Sequence, residues 1–244
     1  RRRCPFIPPG EPPWVTEQAP ILYFAPQTCA RVSLTALEEI GEPFETRLIA
    51  FKAGEHRRPD YLAVNPAGKV PALDTGRGIV TQSGSILLYL ARTHPDARLL
   101  PLTGDPLGDA AAVSTLFRLS SDLHPLVTRF VLPGMMLQSD EAAPQIRAKA
   151  EELLIQQLQP IAEQLAQQRW MLGPDWSIVD TYLAWIWFRI TGAGFDAATF
   201  PEIAEMTGRA NERAAAKRAL EHEARAQQEL EERGLTFTPP QVTT

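Results

Sequence analysis

Two short stretches of the sequence contain residue types that can hold a small peptide-like molecule. The first is Val70-Pro71-Ala72-Leu73, where a proline interrupts residues that otherwise favour a β-strand. Proline donates no hydrogen bond to a neighbouring strand, so its presence indicates an edge or an exposed turn of backbone. If the peptide bond before Pro71 is cis, the backbone of Val70 faces outward and can pair with an extended peptide ligand.

The second stretch is Gln82-Ser83, which opens the segment containing the apolar run Ile86-Leu87-Leu88-Tyr89-Leu90. That run predicts a helix, and the free amide groups at a helix N-terminus attract anions. Together the two stretches predict a pocket that holds a peptide by its backbone and a carboxylate by a helix end.

A small sheet must position these stretches, and the first part of the chain predicts one. Apolar runs bounded by turn residues indicate four strands, at 21–24, 44–51, 70–73 and 78–81. Helices are predicted from Thr28 to Ile40, at 61–64 and over 82–92. The order is therefore βαβ followed by ββα around one shared sheet, which makes this an α/β unit.

The rest of the chain predicts an all-α region. Apolar residues at helical spacing indicate a first helix, with Leu116, Leu119, Leu123 and Leu126 on one face. A second helix is expected from about Glu141 to Arg169, kinked or divided at Pro160. Ser177 and Asp180 resemble a capping box for a third, buried helix, and a solvent-facing amphipathic helix is expected from Asn211 to Arg233.

These patterns divide the chain into five parts. They are a proline-rich arm at 1–19, an α/β domain at 20–93, a linker at 94–107, an all-helical domain at 108–235 and a tail at 236–244.

Composition restricts the partners. The formal charge of −5 shows no basic excess, so nucleic acid is not expected as a partner, and no apolar run reaches the roughly 18 residues of a membrane span. The arm at 1–19 has no apolar core and is a poor signal peptide. The two cysteines, Cys4 and Cys29, do not make a disulfide framework, so a reducing, cytoplasmic location is expected.

Three motifs in order resemble the cytosolic glutathione transferases over roughly residues 20–233. They are a turn and proline strand at 65–73, the pair Gln82-Ser83 before an apolar helix, and a helix start at 170–183. The resemblance, closest to bacterial cysteine-containing (beta-like or omega-like) classes, implies a thioredoxin-like N-terminal domain and an all-helical C-terminal domain. It also implies glutathione as co-substrate, no metal and a homodimer.

Roles for single residues follow from this resemblance. Val70, next to a cis Pro71, would pair with the cysteinyl unit of glutathione, and Ser83 with Gln82 would bind its γ-glutamyl carboxylate. Lys69, and with less support Lys52, would reach the glycyl carboxylate.

The residue that handles the sulfur is expected just after the first strand. Cys29 lies where the beta and omega classes carry a cysteine, and a helix N-terminus is expected to lower its pKa. Thr28 is the competing catalytic candidate, because its hydroxyl can donate a hydrogen bond to the glutathione thiolate. Tyr23 is a third candidate, but as a strand residue it is better explained as part of the core. His124 lies where the beta class carries an active-site histidine and is expected to relay a proton or bond to the thiol.

The chain departs from the beta class at two positions, because Gln82 replaces the usual Glu and Gln27-Thr28 precede Cys29. The expected function is a detoxifying transferase that joins glutathione to a small hydrophobic electrophile, or exchanges its thiol with a disulfide. Phe117 and Val127 are candidate lining residues for that second substrate. The alternative is a non-catalytic relative that binds glutathione or another protein.

Overall fold

The computed structural model describes residues 19–136 and 142–236. Residues 1–18 and 237–244 lie outside the described part, and with them Cys4 and nearly all of the predicted arm and tail.

The first part of the fold is a four-stranded sheet with the order β2-β1-β3-β4. Its strands are β1 Ile21–Phe24, β2 Glu45–Leu48, β3 Ala72–Asp74 and β4 Ile79–Thr81. Strand β1 runs parallel to β2 and antiparallel to β3, and β3 pairs antiparallel with β4. The accompanying helices are α1 Ala30–Ile40, α2 Pro59–Val64 and α3 Ser83–Thr93. This is the predicted βαβ-ββα order, and the thioredoxin-like unit is confirmed.

Local sequence explains most of these bounds. All four residues of β1 are buried, and α1 ends at Gly41, whose φ of 77° is a left-handed conformation that glycine adopts without steric cost. Strand β2 is shorter than predicted, because a 3₁₀ turn begins at Phe51. Strand β3 starts at Ala72, since Pro71 has no N–H to pair.

The second part is helical, as predicted. Its helices are α4 Pro106–Phe117, α5 His124–Val131, α6 Ala143–Leu165, α7 Ile178–Thr191, α8 Pro201–Asn211 and α9 Ala214–Glu232. A π-helical turn, Arg118–Leu123, joins α4 to α5. Helix α4 begins inside the predicted linker at 94–107, and the domain limits given above stay predictions. No helix in the described ranges is long and apolar enough to cross a bilayer.

The structure corrects three details of the helical prediction. Helix α6 continues through Pro160 as one helix, where a division was an expected alternative, and the Arg118 guanidinium donates 2.8 Å to the Gln157 carbonyl near that proline. Helix α8 was not predicted. Helix α9 packs its apolar face along α1, as an amphipathic helix does, but it also buries a charged residue that was expected to face solvent, Glu223, to 5% exposure.

The Ser177–Asp180 capping box at the start of α7 is confirmed. The Asp180 carboxylate accepts the Ser177 N–H at 2.9 Å, the Ser177 hydroxyl at 3.0 Å and the Met171 N–H at 2.8 Å. Three hydrogen bonds satisfy a carboxylate that burial would otherwise penalise. Helix α7 is buried along most of its length, and this cap fixes where it enters the core beside α1.

Candidate functional site

The turn before β3 presents the backbone of Val70 at the sheet edge, and the Val70–Pro71 peptide bond is cis. The Asn65 amide accepts the Ala67 N–H at 3.1 Å and donates to the Lys69 carbonyl, so one side chain shapes the whole turn. Gly68 has a φ of 61°, and a Cβ there would lie 2.8 Å from the His56 carbonyl oxygen, which excludes larger residues. The turn therefore fixes the position of Val70 just before the first residue of β3.

Ser83 is the first residue of α3, and Gln82 is its N-cap. Gln82 has a φ of 70° and a ψ of 125°, a backbone conformation that costs a non-glycine residue energy and is concentrated at functional sites. This conformation leaves the Gln82 side chain exposed, whereas Ser83 is 7% exposed. The two residues thus present one outer and one inner polar group at a helix N-terminus.

Cys29 lies opposite this helix end, as the N-cap of α1. Its Sγ is 3.8 Å from the Val70 carbonyl oxygen, so the structure brings together the sulfur candidate and the predicted backbone partner of glutathione. Burial raises the pKa of the Cys29 thiol to about 11, against smaller opposing effects of hydrogen bonding from Ser83 and the positive charge of Lys69. The prediction of a lowered pKa is wrong, because loss of hydration outweighs the helix terminus.

A tyrosine and a histidine of the helical region complete this wall of the site. The Tyr182 hydroxyl lies 3.0 Å from His124 Nδ1, and burial raises the pKa of Tyr182, an effect that hydrogen bonding from Ser83 opposes. Burial, followed by the charges of Lys69 and Arg189, lowers the pKa of His124 to about 4. His124 is therefore a neutral imidazole near pH 7. The chain of groups from Cys29 through Ser83 and Tyr182 to His124 is uncharged throughout.

Local helix chemistry explains why His124 is there. His124 begins α5 directly after the π-helical turn, and such turns frequently mark functional sites. The next residue, Pro125, lacks the N–H that a regular helix would use. The His124 ring also stacks edge-on with Trp185, with ring centroids 4.6 Å apart, so its orientation is fixed by two residues of α7.

The structure places the two competing candidates less favourably. The Thr28 hydroxyl donates 2.7 Å to the Ala25 carbonyl and accepts the Ala30 N–H at 3.3 Å, so its proton is already used inside the turn. Tyr23 faces the other side of the sheet, where it packs against Tyr61 with ring centroids 5.7 Å apart. The interpretation of Tyr23 as a core residue is confirmed.

The two lysines have different surroundings. The Lys69 ammonium acts electrostatically on both Cys29 and His124, so it lies on the sulfur side of the cleft. Lys52 donates 3.2 Å to the Gly234 carbonyl just beyond α9. Their predicted contacts with the glycyl carboxylate stay predictions.

The two candidates for lining a second-substrate pocket are placed differently. Phe117 is 50% exposed, and a Cβ built at Gly84, beside Ser83, would lie 3.8 Å from its ring. Val127 is 3% exposed and belongs to the core. Only Phe117 of this pair can present an apolar surface next to the helix end.

Three residues of the site escaped prediction, namely Tyr182, Trp185 and Glu223. All three lie in helices that the sequence pattern indicated as core or surface, and they reach the site only through tertiary packing. A tyrosine and a tryptophan at helical spacing in a wholly apolar helix were the available signal, since buried Tyr and Trp need polar partners. Within the described ranges, no group of three or more His, Cys, Asp or Glu side chains can hold a metal ion.

Comparison with known proteins agrees with this geometry. Residues 20–92 match the family model for the N-terminal domain of glutathione S-transferase. Glutathione S-transferase GstA of Escherichia coli O157:H7 is 30% identical over 164 residues, which cover 66% of this chain and 78% of that protein. The chain belongs to the glutathione S-transferase family.

Two further similarities extend the comparison. A maleylacetoacetate isomerase of Pseudomonas aeruginosa is 34% identical over 131 residues, but the match spans only 53% of this chain and 60% of that enzyme. The structure of a sphingomonad glutathione S-transferase complexed with glutathione has 31% sequence identity and a TM-score of 0.74. It matches 84% of this transferase-family chain and 98% of the sphingomonad chain.

Proposed function

We propose that this chain is a glutathione transferase that conjugates glutathione to a small hydrophobic electrophile, with Cys29 as a neutral hydrogen-bond donor to the glutathione sulfur. Glutathione is the co-substrate, in keeping with the family and its glutathione-bound members. The Val70 backbone pairs with the cysteinyl unit, and the amide and hydroxyl of Ser83, with Gln82, bind the γ-glutamyl carboxylate.

One observation carries the proposed role of Cys29, namely the position of its buried thiol, with Sγ 3.8 Å from the carbonyl oxygen of Val70, the predicted backbone partner of the cysteinyl unit. Burial raises the pKa of this thiol to about 11, whereas a free thiol has a pKa of about 8.5. When two thiols lie side by side, the more acidic one loses its proton first, and the other can donate a hydrogen bond to the resulting thiolate. Glutathione therefore becomes the nucleophile, and the Cys29 S–H stabilises its negative charge.

The rest of the cleft supports a conjugation reaction. The neutral His124–Tyr182 pair adds no negative charge that would oppose a thiolate, and the Lys69 ammonium favours one. The exposed Phe117 ring offers an apolar surface for an electrophile beside Ser83. Conjugation of glutathione to an apolar electrophile bound at this surface is a detoxification reaction.

A second reaction, thiol transfer, is the alternative, because the same 3.8 Å distance places the Cys29 sulfur beside the backbone predicted to hold the glutathione cysteinyl unit. In that reaction the Cys29 thiol gives up its proton as its sulfur attacks the glutathionyl sulfur of a mixed disulfide, the disulfide bond breaks, and the departing thiolate takes up that proton. A second glutathione then attacks the Cys29–glutathione disulfide, which releases oxidised glutathione and restores Cys29.

Two substitutions at Cys29 separate these reactions. Cys29→Ser keeps a hydrogen-bond donor but removes the sulfur nucleophile, and Cys29→Ala removes both. If Cys29 is a donor, conjugation of a chloronitrobenzene falls at least 10-fold in Cys29→Ala and is largely retained in Cys29→Ser. If it is the nucleophile, both variants lose reduction of a glutathione mixed disulfide completely. Full activity of Cys29→Ala in both assays would contradict the proposed function.

The remaining family-level expectations are proposals as well. We place the chain among the cysteine-containing, beta-like or omega-like classes because Cys29 lies at the sheet-to-helix turn. A reducing, cytoplasmic location suits a chemistry that requires a free Cys29 thiol. A homodimer is proposed from the resemblance to the family, and Ile79 at 40% and Leu107 at 80% exposure are apolar side chains available for a partner to cover. Light scattering that shows a monomer at micromolar concentration would contradict the dimer.

A further inference from the structure

The turn that carries Cys29 has an unusual backbone. Gln27, two residues before Cys29, has a φ of 63°, in the left-handed region that a non-glycine residue seldom occupies. Such a conformation persists only where surrounding contacts fix it. The neighbouring Thr28 hydroxyl bonds only within the turn itself, to Ala25 and Ala30. The restraint on Gln27 must therefore come from elsewhere.

The helical region supplies that restraint through three hydrogen bonds to Gln27. The Gln27 N–H donates 3.0 Å to the Glu223 carboxylate of α9. The Trp185 indole N–H of α7 donates 3.2 Å to the Gln27 carbonyl. Arg189, also on α7, donates 3.4 Å to the Gln27 side-chain oxygen. All three partners are far away in sequence, so the position of this turn depends on how the two halves of the fold pack.

Glu223 differs from the other two partners, because its two carboxylate oxygens bond to residues on both sides of Cys29 in the sequence. One oxygen accepts the Gln27 N–H, two residues before the cysteine. The other accepts Nε and Nη2 of Arg31, two residues after it, at 2.8 and 2.6 Å. The Arg31 guanidinium in turn lies 4.0 Å above the Phe188 ring.

Burial and the charge of Arg31 have opposite effects on the Glu223 carboxylate. The residue is 5% exposed, and burial raises its pKa, an effect that the Arg31 charge opposes. A buried ion pair of this kind costs hydration, so it contributes less to stability than to the placement of its groups. The carboxylate bridges backbone and side chain across the cysteine.

We infer that Glu223 is a positioning residue of the sulfur site, which sets the burial and direction of the Cys29 thiol from helix α9. This inference rests on the proposed function, in which Cys29 acts on the glutathione sulfur. Without the bridge, the turn relaxes and Cys29 becomes more hydrated. The Cys29 thiol then ionises more readily but no longer lies beside the ligand sulfur.

The test compares Glu223→Ala with Glu221→Ala, an exposed glutamate on the same helix. Two quantities are measured, the steady-state kinetics of conjugation and the pH dependence of Cys29 alkylation by iodoacetamide. Glu223→Ala is expected to lower kcat about 10-fold, to change the KM for glutathione less than 2-fold, and to speed alkylation at pH 8 by 10-fold or more. Glu221→Ala is expected to match the wild type in both.

A double variant separates position from charge. In Glu223→Gln the amide NH2 replaces one of the two carboxylate oxygens and cannot accept a hydrogen bond, so either Gln27 or Arg31 loses its partner and kcat falls. In Arg31→Met with Glu223→Gln the remaining amide oxygen is free to accept the Gln27 N–H, and kcat and the alkylation profile return to within 3-fold of the wild type. This variant also keeps the test usable if Glu223→Ala does not fold.

Two outcomes would overturn the inference. One is a wild-type alkylation profile in Glu223→Ala, whether kcat is unchanged or falls only with the folded fraction. The other is a double variant no better than Glu223→Gln alone. The proposed function fails separately, if Cys29→Ala keeps full activity, and an altered alkylation profile in Glu223→Ala would then still stand.

Discussion

The two walls of the candidate site are built in opposite ways. The wall predicted to hold glutathione comes from one continuous stretch, 65–83, whose turn at 65–69 and helix start at 82–83 are shaped mainly by neighbouring residues. The wall around the sulfur centres on Cys29, but its other members lie on α5, α7 and α9, about a hundred or more residues away. If the proposed function holds, local structure sets which ligand is held, and packing between distant elements sets its chemistry.

The largest expected effect tests the local wall. The double variant Gln82→Ala with Ser83→Ala removes both polar side chains at the start of α3. One of them, Ser83, is proposed to donate a charge-assisted hydrogen bond to the γ-glutamyl carboxylate of glutathione. We expect glutathione affinity to fall by roughly 100-fold or more, about 3 kcal/mol. Retention on glutathione-agarose and calorimetry measure this loss.

The matched control for that variant is Ser85→Ala, an exposed serine of the same helix, which should bind glutathione as the wild type does. Undiminished binding by the double variant would remove the proposed γ-glutamyl site.

The second prediction concerns the distant wall and uses pH. The pKa of His124 is about 4 in the folded protein and about 6.5 unfolded, so below pH 6.5 only the unfolded state takes up the proton. Stability is therefore lost as pH falls from 6.5 to 4, by about 3 kcal/mol from this residue. Urea unfolding of the wild type and His124→Gln at pH 7, 5.5 and 4.5 isolates the effect, since other groups titrate in both.

His124→Gln should lose less stability than the wild type over that interval. Equal losses in the two proteins would mean that His124 is hydrated and not part of a buried neutral network.

The third prediction probes the link between the walls. Trp185→Phe removes the N–H that donates to the Gln27 carbonyl but keeps an aromatic ring against His124. Loss of one partly buried hydrogen bond, worth about 1 kcal/mol, should lower kcat about 5-fold and leave the KM for glutathione unchanged. Trp187→Phe, next to Phe195 in the core, is the control and should affect stability only. A changed KM for glutathione in Trp185→Phe would contradict the idea that the sulfur wall affects catalysis without affecting glutathione binding.

The smallest expected effects belong to the lysines. Lys52→Ala removes an exposed bond to the Gly234 carbonyl and should change the glutathione KM less than 2-fold, under about 0.5 kcal/mol. Lys69→Ala removes a charge that lowers the pKa of Cys29, so Cys29 alkylation should need a higher pH. If Lys52→Ala raises the KM for glutathione more than Lys69→Ala does, the glycyl end of glutathione binds near the end of α9.

The same contrast explains how far prediction from sequence reached. The strand β1, the end of α1 at Gly41, the hairpin after Pro71 and the start of α3 follow from local residue types, and all lie within two residues of the prediction. The cis Val70–Pro71 bond, which the resemblance implied, is present. Those features need only near neighbours to form.

What could not be predicted depends on packing. The pKa of Cys29 was expected to be lowered by a helix end, but the number of atoms that cover a thiol is decided by elements far along the chain. Glu223 looks like any other charge in the Glu- and Arg-rich α9 and becomes a buried partner only once that helix lies on α1.

The charged contact between α1 and α9 has a consequence for protein engineering. Arg213 pairs with Glu39, Arg218 with Glu38, and Arg31 with Glu223 along the length of this contact. A chimera that joins this N-terminal unit to helices lacking these partners would leave the α1 charges unpaired there. Such a hybrid is expected to bind glutathione and yet be a poor catalyst, so the proposed function predicts that the unit can be transplanted as a binding module but not as half of an enzyme.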